Sequence, residues 1–371
     1  MNVQKMEQFY EEEFLTVMSQ TYEKMKQTIK QNEENIKKQL LEEIDFALIK
    51  IEHLQNKGKL GEVGFITFVF LRTRFLEKNY TYAIYAYEKE KYAGNEAYVG
   101  EINAKHCLQC YEQAEKELKR SAKKYFGSIS DRDIERLILE ETARSIYYMQ
   151  NLFRIWKKEI VNLESYQRIQ KAEYFRMELG EYYEPGLGII VDEKNRNDRM
   201  VKRKLKKETN HCCENLSKLN LEGMQYIAKE FVDANFQDSN LRNTKWVNCA
   251  MQGSDFQRAT LIQGYFYQCS LQESVWKQTD VRGTIFEECL MYAGEKISLK
   301  SFWPDYEAIE VENCKLDDVV FKKCILNKLD FSRLDISKCR LEDCVIEDCV
   351  FTKEQIEQHK FDINGWKLKV V

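Results

Sequence analysis

The chain has 371 residues, of which 43% are apolar and 32% charged, with a formal net charge of −4. At roughly 150 residues per domain this suggests two domains or one domain plus a repeat array, and the apolar share can bury a sizeable core, which excludes a chain disordered by composition. The charge excludes a strongly basic nucleic-acid binder as the default, and the longest aliphatic and aromatic run, Gly64 to Leu71, falls far short of the roughly 20 residues that span a bilayer, so a cytoplasmic protein with no membrane partner and no signal peptide is expected.

From about Gln8 to Gln55, apolar residues recur at Met18, Tyr22, Met25, Ile29, Ile36, Leu40, Ile44, Ala47, Ile51 and Leu54. Spacings of three and four without Pro or Gly predict a long amphipathic helix or helical hairpin, and Asn32 interrupts its stripe. The segments Gly64–Leu71, Tyr80–Tyr87 and Tyr98–Ile102 are rich in β-branched and aromatic residues and predict a small antiparallel sheet. Helical periodicity returns over Ala104–Tyr125 and from Asp131 to about Leu179, ahead of a turn at Tyr182–Pro185–Gly188. Residues 1–210 are therefore expected to form a mixed, mainly helical domain.

The densest basic stretch, Arg199 to Lys207, follows this domain. Residues from Cys213 onward carry about −6, leaving about +2 on the first 212. The run could bind phosphate or an acidic partner, which makes Arg199, Lys202, Arg203 and Lys204 candidate partner-binding residues. The commoner fate is a solvated helix end or linker, because Asp192, Glu193, Asp198 and Glu208 flank it.

Beyond Cys213 the pattern changes to a period of five. Every fifth residue from Leu216 to Phe361 gives 30 positions, of which only Lys296 and Ser301 are neither apolar nor aromatic. A second set, two residues upstream, favours compact side chains, among them Ala234, Ser239, Thr244, Cys249, Ser254, Cys269 and Cys289. Five fits neither the period of a helix nor that of an isolated strand; it fits a square coil with one large inward residue on each side. Residues 20 apart should stack, so Tyr226, Trp246, Phe266, Phe286 and Tyr306 are expected to form an aromatic ladder.

Segments such as Ala234-Asn235-Phe236-Gln237-Asp238 and Ser254-Asp255-Phe256-Gln257-Arg258 resemble the pentapeptide-repeat family, with its A(D/N)LXX motif, over about residues 214–361. The resemblance implies a right-handed quadrilateral β-helix with coils about 4.8 Å apart, so the expected fold class is α+β, a mainly helical domain followed by a pentapeptide-repeat solenoid over 212–361. Residues 292–310 depart from the motif and are either a degenerate coil or an excursion from the side of the rod, the excursion being favoured, with Trp303, Asp305 and Tyr306 in the loop-like part as further candidate partner-binding residues. Thr352-Lys353-Glu354-Gln355 reads as a capping box opening a short helix, and 352–371 as a C-terminal cap and tail. In relatives of this architecture such a cap can make a homodimer, which extends here only by analogy.

Eight of the 12 cysteines fall on the compact inward set, where a free thiol serves as a small hydrophobe. Thiols stacked about 5 Å apart could in principle cross-link or hold a soft metal, although packing is the usual role. The remaining four, Cys107, Cys110, Cys212 and Cys213, offer enough ligands with His106 for a tetrahedral zinc site, but the two clusters lie about 100 residues apart. No nucleophile elbow, Walker loop, HExxH or dinucleotide fingerprint occurs, so no catalytic residue and no cofactor is expected. The reading is a non-enzymatic protein-interaction or adaptor module with a protein partner of unknown identity. Two alternatives stand beside it: the DNA-mimicking binding of DNA gyrase that the resemblance implies for some relatives, and an unrecognised metal-dependent or nucleic-acid-related activity in 1–210. Gyrase mimicry needs a continuous acidic face, whereas Lys322 and Lys323 lie one coil before Glu342 and Asp343, and Lys328 one coil before Asp348.

Overall fold

The computed structural model describes residues 3–92, 94–184, 186–292, 311–359 and 367–371. Residues up to Ile190 make one compact unit, and a second begins at Val191.

The first unit opens with helix α1 (Val3–Phe9), a π-helical turn over Tyr10–Phe14, and the 42-residue α2 (Leu15–Asn56). Its buried stripe of Met18, Met25, Ile29, Ile36, Leu40, Ile44 and Ile51 is the one the periodicity marks. At Asn32 the backbone leaves helical geometry (φ −120°, ψ 16°) while the side-chain amide donates to the Thr28 carbonyl at 2.8 Å. The side chain competes with the helix for its own acceptor, so α2 kinks where the stripe lapses.

Strand β1 (Val63–Phe70) is followed by α3 (Arg72–Leu76), β2 (Thr81–Tyr87) and β3 (Glu96–Asn103), and the three strands pair antiparallel. The helical segments are α4 (Lys105–Leu108), α5 (Cys110–Ser121), α6 (Asp131–Thr142), α7 (Ser145–Ile155), α8 (Lys157–Asn162) and α9 (Glu164–Arg168). Two further strands, β4 (Lys171–Glu181) and β5 (Leu187–Glu193), correct the expected fold. The sheet has five strands in the order β3-β2-β1-β4-β5, and β4 runs parallel to β1, so it is mixed rather than a small antiparallel meander. The stretch read as helix up to Leu179 ends earlier because Lys171–Glu181 pairs with β1 as an inner strand of the sheet, where Phe175, Met177, Glu178 and Leu179 are all buried.

The second unit is a β-helix-like stack. Strands β6 (Gln225–Ile227), β7 (Lys245–Val247), β8 (Tyr265–Tyr267) and β9 (Ile285–Glu287) pair in parallel, each residue opposite the one 20 positions on. A left-handed residue recurs every five positions, for example Asp233 (φ 58°), Asp238 (φ 59°), Asn243 (φ 57°) and Asn248 (φ 52°). Each turns the chain sharply two residues after an inward side chain, and this is the physical origin of the period. Glycine takes the corner at Gly223, Gly253 and Gly283, where a positive φ costs it nothing.

The large lattice residues fill the interior. Tyr226 stacks on Trp246 at 4.1 Å, Trp246 on Phe266 at 5.7 Å, and Phe266 on Phe286 at 4.9 Å. Phe236, Phe256 and Trp276 form a second ladder. The compact set satisfies the polar atoms left between them: Thr244 accepts the Trp246 indole N–H at 2.9 Å, and Ser274 that of Trp276 at 2.7 Å.

The fifth rung of the first ladder is a correction. Phe286 stacks at 5.1 Å on Phe321, not on Tyr306, which lies outside the described residues. Strand β10 (Leu290–Tyr292) pairs with β12 (Ile325–Asn327), and β9 with β11 (Val320–Lys322), at an offset of 35 residues, fifteen more than one coil. The 20-residue offset then resumes in β13 (Arg340–Glu342) and β14 (Val345–Phe351).

Helix α11 (Lys353–His359) follows a reciprocal capping box, in which Thr352 N–H donates to Gln355 Oε1 at 2.8 Å and Gln355 N–H to Thr352 Oγ1 at 3.1 Å. Strand β15 (Lys367–Val370) then pairs parallel to β14 and covers that edge of the sheet. Among the described residues no helix is long and apolar enough to cross a membrane.

Candidate functional site

The basic run forms helix α10 (Asp198–Lys207), capped by Asn197, whose side-chain oxygen accepts the Met200 N–H at 3.0 Å. Its spacing sorts the residues by face. Val201 and Leu205 are buried in the apolar core of the stack, so the helix is a lid on the first coil rather than a solvated linker. Asp198 fastens it further by accepting the Asn220 N–H at 3.1 Å. On the opposite side Arg199, Lys202, Arg203 and Lys206 share an open face of the helix with Asp198. None of these four cations has an acidic partner among the described residues.

Lys204 belongs to the other side. Its ammonium lies 3.0 Å from Glu214 and 3.6 Å from Glu193, so it is part of the lid's anchorage rather than of the basic face. Glu214 also faces the buried imidazole of His211 at 3.4 Å, while His211 Nε2 faces the Glu208 carbonyl oxygen at 3.1 Å. Burial opposes ionisation of Glu214, but His211 and Lys204 outweigh it and hold the carboxyl below its ordinary range. Glu208, His211 and Glu214 converge closely enough to share a metal ion. Lys204 already supplies a positive charge there, and the cluster does the structural work of pinning α10 to the first coil.

Of the zinc set, His106, Cys107 and Cys110 lie in the first unit, on α4 and at the start of α5, and Cys212 and Cys213 lie in the second. The metal-holding arrangement found among the described residues contains no cysteine. Burial raises the thiols of Cys107 and Cys110, the latter to about 12, and that of Cys212 to about 11. His106 Nε2 is buried without a hydrogen-bond partner, and burial lowers its pKa to about 4. A folded-state pKa below the unfolded value near 6.5 means that neutral His106 is tolerated above that value and stability is lost as pH falls toward 4. In urea unfolding of the full chain, His106→Leu should flatten the fall in stability between pH 6.5 and 4; an unchanged slope contradicts this.

Trp303, Asp305 and Tyr306 lie outside the described residues. The first unit holds a cluster the sequence reading missed: Glu178, buried on β4, accepts from Arg176 at 2.7 Å and pairs with Lys91, and it abuts Gly186 so closely that a Cβ there would meet it at 2.8 Å. The alternation of Phe175, Met177 and Leu179 with Arg176 and Glu178 along the sequence was the available signal. Around the same strand ends, Tyr182 and Tyr183 contact each other at 4.4 Å and Tyr92 meets Tyr183 at 4.5 Å, leaving Tyr183 exposed.

Ion pairs run between coils on the outer faces. Arg258 binds Asp238 at 2.7 Å, Lys322 binds Glu287 at 2.8 Å, and Lys338 binds Asp317 at 3.2 Å. These pairs cancel their field locally and are individually weak in water.

A model of pentapeptide repeats matches residues 231–272 and 312–352, in 8 copies. A comparison with curated proteins finds no match. Solved structures similar to the chain include HetL, a pentapeptide repeat protein involved in heterocyst differentiation regulation from the cyanobacterium Nostoc sp. strain PCC 7120, at 12% identity and a TM-score of 0.30 over 42% of this chain and 60% of that one. The chain thus spans 60% of the length of HetL. Full-length QnrB1, a plasmid-mediated fluoroquinolone resistance protein, is similar at 12% identity and a TM-score of 0.22 over 45% of this chain and 87% of that one. A pentapeptide repeat protein of the Arabidopsis thaliana thylakoid lumen is similar at 16% identity and a TM-score of 0.13, over 24% and 59% of the two chains. The five-residue lattice, the twenty-residue pairing and the matching model together make residues 231–272 and 312–352 pentapeptide repeats.

Proposed function

We propose that the chain is a non-enzymatic protein-interaction module, in which a right-handed quadrilateral β-helix serves as a rigid support and the outward face of α10 recruits an acidic protein partner. The observation that carries this reading is the contrast in charge matching. Lys204, Arg258, Lys322 and Lys338 have carboxylate partners within the stack, whereas Arg199, Lys202, Arg203 and Lys206 share an open face with a single carboxylate, itself engaged by a backbone N–H. Insertion of α10 into a lipid surface is disfavoured because its apolar stripe is already used against the stack. The gyrase-mimicking alternative has less support, since it requires a continuous acidic face and the coils alternate charge in register.

The test is affinity capture by the full-length protein from a lysate of its source organism at low salt, compared with R199E/K202E/R203E/K206E. The wild type should retain an acidic protein that the variant loses at least tenfold and that elutes as salt rises toward about 0.5 M. Equal capture by both proteins, or capture by neither, contradicts the reading. Equal melting temperatures of the two proteins would show that the lid itself is intact.

A further inference from the structure

The interior contains a feature that packing alone does not require. Cys249, Cys269, Cys289, Cys324 and Cys344 occupy one column, one per coil, across the 35-residue offset as well as the regular ones. The backbone steps from rung to rung in the same way each time: Ser270 N–H donates to the Cys249 carbonyl at 3.0 Å, Leu290 to that of Cys269 at 3.0 Å, Ile325 to that of Cys289 at 3.0 Å, and Val345 to that of Cys324 at 2.9 Å. The side chains repeat as well. Each sulfur lies 3.4 to 3.5 Å from the carbonyl oxygen two residues earlier in its own coil. Identical rotamers on in-register strands place the five sulfurs in a line, with successive atoms about one strand spacing, ~4.8 Å, apart. All five cysteines are free and buried.

That geometry is selective. A line of sulfurs offers ligands in pairs but never three or four around one point, and no cysteine of the column enters a three-ligand group among the described residues. Tetrahedral zinc is therefore excluded. Two sulfurs about 4.8 Å apart do match a d¹⁰ ion bound linearly between them, since two metal–sulfur bonds of ~2.3 Å span ~4.6 Å. Thiolate ligation favours soft monovalent ions of this kind.

We propose that this cysteine column binds linearly coordinated monovalent soft metal ions, Cu(I) or Ag(I), each held between the sulfurs of two successive coils. Each ion displaces two thiol protons, giving one S–M–S unit with a net charge of −1 and two protons released to solvent. At the foot of the column the next lattice position is Lys229, itself buried, whose ammonium donates to the Glu208 carbonyl.

With each sulfur serving a single ion, as two displaced protons per ion require, five rungs in a line hold two such ions. Anaerobic titration of the full-length reduced protein with Ag(I), repeated with Cu(I) against a bicinchoninate competitor, should count them, with the released protons read by a pH indicator. Cys269→Ser leaves one adjacent pair set, Cys324→Ser likewise, and the double variant leaves none. The wild type should therefore take up two more equivalents than C269S/C324S, and each single variant one more. The seven cysteines outside the column give the same background in all four proteins. Serine already occupies this lattice, with Ser239 and Ser254 donating to interior carbonyls at 2.7 Å, so the variants should keep the fold and the wild-type circular dichroism. Equal uptake by the wild type and the double variant overturns the proposal, as does any wild-type excess under one equivalent. The outcome is independent of the reading of α10, because none of its residues is altered.

Discussion

Phe266→Asp is expected to lower the melting temperature of the repeat domain by roughly 10–20 °C, while Gln263→Asp on the same coil changes it by no more than a degree or two. Phe266 is fully buried, stacked between Trp246 and Phe286 and edge-on to Trp276 at 6.2 Å. Removing such a ring costs about 3–5 kcal/mol in packing and cavity alone. The carboxyl that replaces it has no donor waiting in the aromatic column, so it must fold protonated or unpaired, adding to the loss. Against a total stability of about 5–15 kcal/mol this is a large fraction. Gln263 is the contrasting case: it is exposed at a left-handed corner (φ 57°), a conformation Asp adopts readily, and Asn243 fills the equivalent corner one coil earlier. Calorimetry and near-ultraviolet circular dichroism on the two variants decide the matter. An unchanged melting temperature for Phe266→Asp would show that the lattice does not face inward.

What could be read from the chain beforehand follows the range of the interactions involved. The inward lattice was legible because corner, compact residue and large residue recur within five positions, so local geometry and burial coincide. At Asn32 the break in the apolar stripe was legible, but the kink it makes in α2 was not. Strand β4 was not, because Ala172, Phe175 and Leu179 also satisfy a helical stripe; its neighbour across the sheet, β1, lies more than a hundred residues earlier in the chain. The identity of the fifth aromatic rung failed in an instructive way. The chain between Tyr292 and Val311 adds fifteen residues, three whole periods, so the five-residue phase survives the interruption while the coil assignment slips. Counting by twenty then lands on Tyr306, whereas the pairing of β9 with β11 selects Phe321. The same slip hid the Cys289–Cys324 step of the thiol column and the ion pair of Lys322 with Glu287. In α10 the charge run was visible but its division was not. Only contact with the first coil shows Lys204 turned toward Glu214, leaving Arg199, Lys202, Arg203 and Lys206 on the far side.

The largest contrast should come from deletions in which the longer one does less harm. Removing the twenty residues 252–271 joins Met251 to Gln272 and leaves every later residue in phase. Trp246 then faces Phe286, Phe236 faces Trp276, Leu241 faces Val281, and Glu273, already left-handed at φ 59°, takes the corner vacated by Gly253. Because each coil contacts only its neighbours, the loss is about one interface out of the stack, and a folded, shorter solenoid is expected. Deleting Gln257 alone removes one residue from a side. Every inward position beyond it must either slip by one, turning Leu261, Phe266 and Leu271 off the axis, or be restored by breaking the corner at Arg258 (φ 57°) and its pairing with the next coil. Both routes sacrifice at least one coil's hydrogen bonds and expose aromatic surface, so this variant should melt well below the twenty-residue deletion and bind a hydrophobic dye when warmed. If the single deletion proves the more stable of the two, pairing at twenty is not what holds the second unit together. The ordering follows because an inward column records position around the coil and not distance along the chain, which is also why a fifteen-residue interruption after Tyr292 leaves Phe321 seated on Phe286.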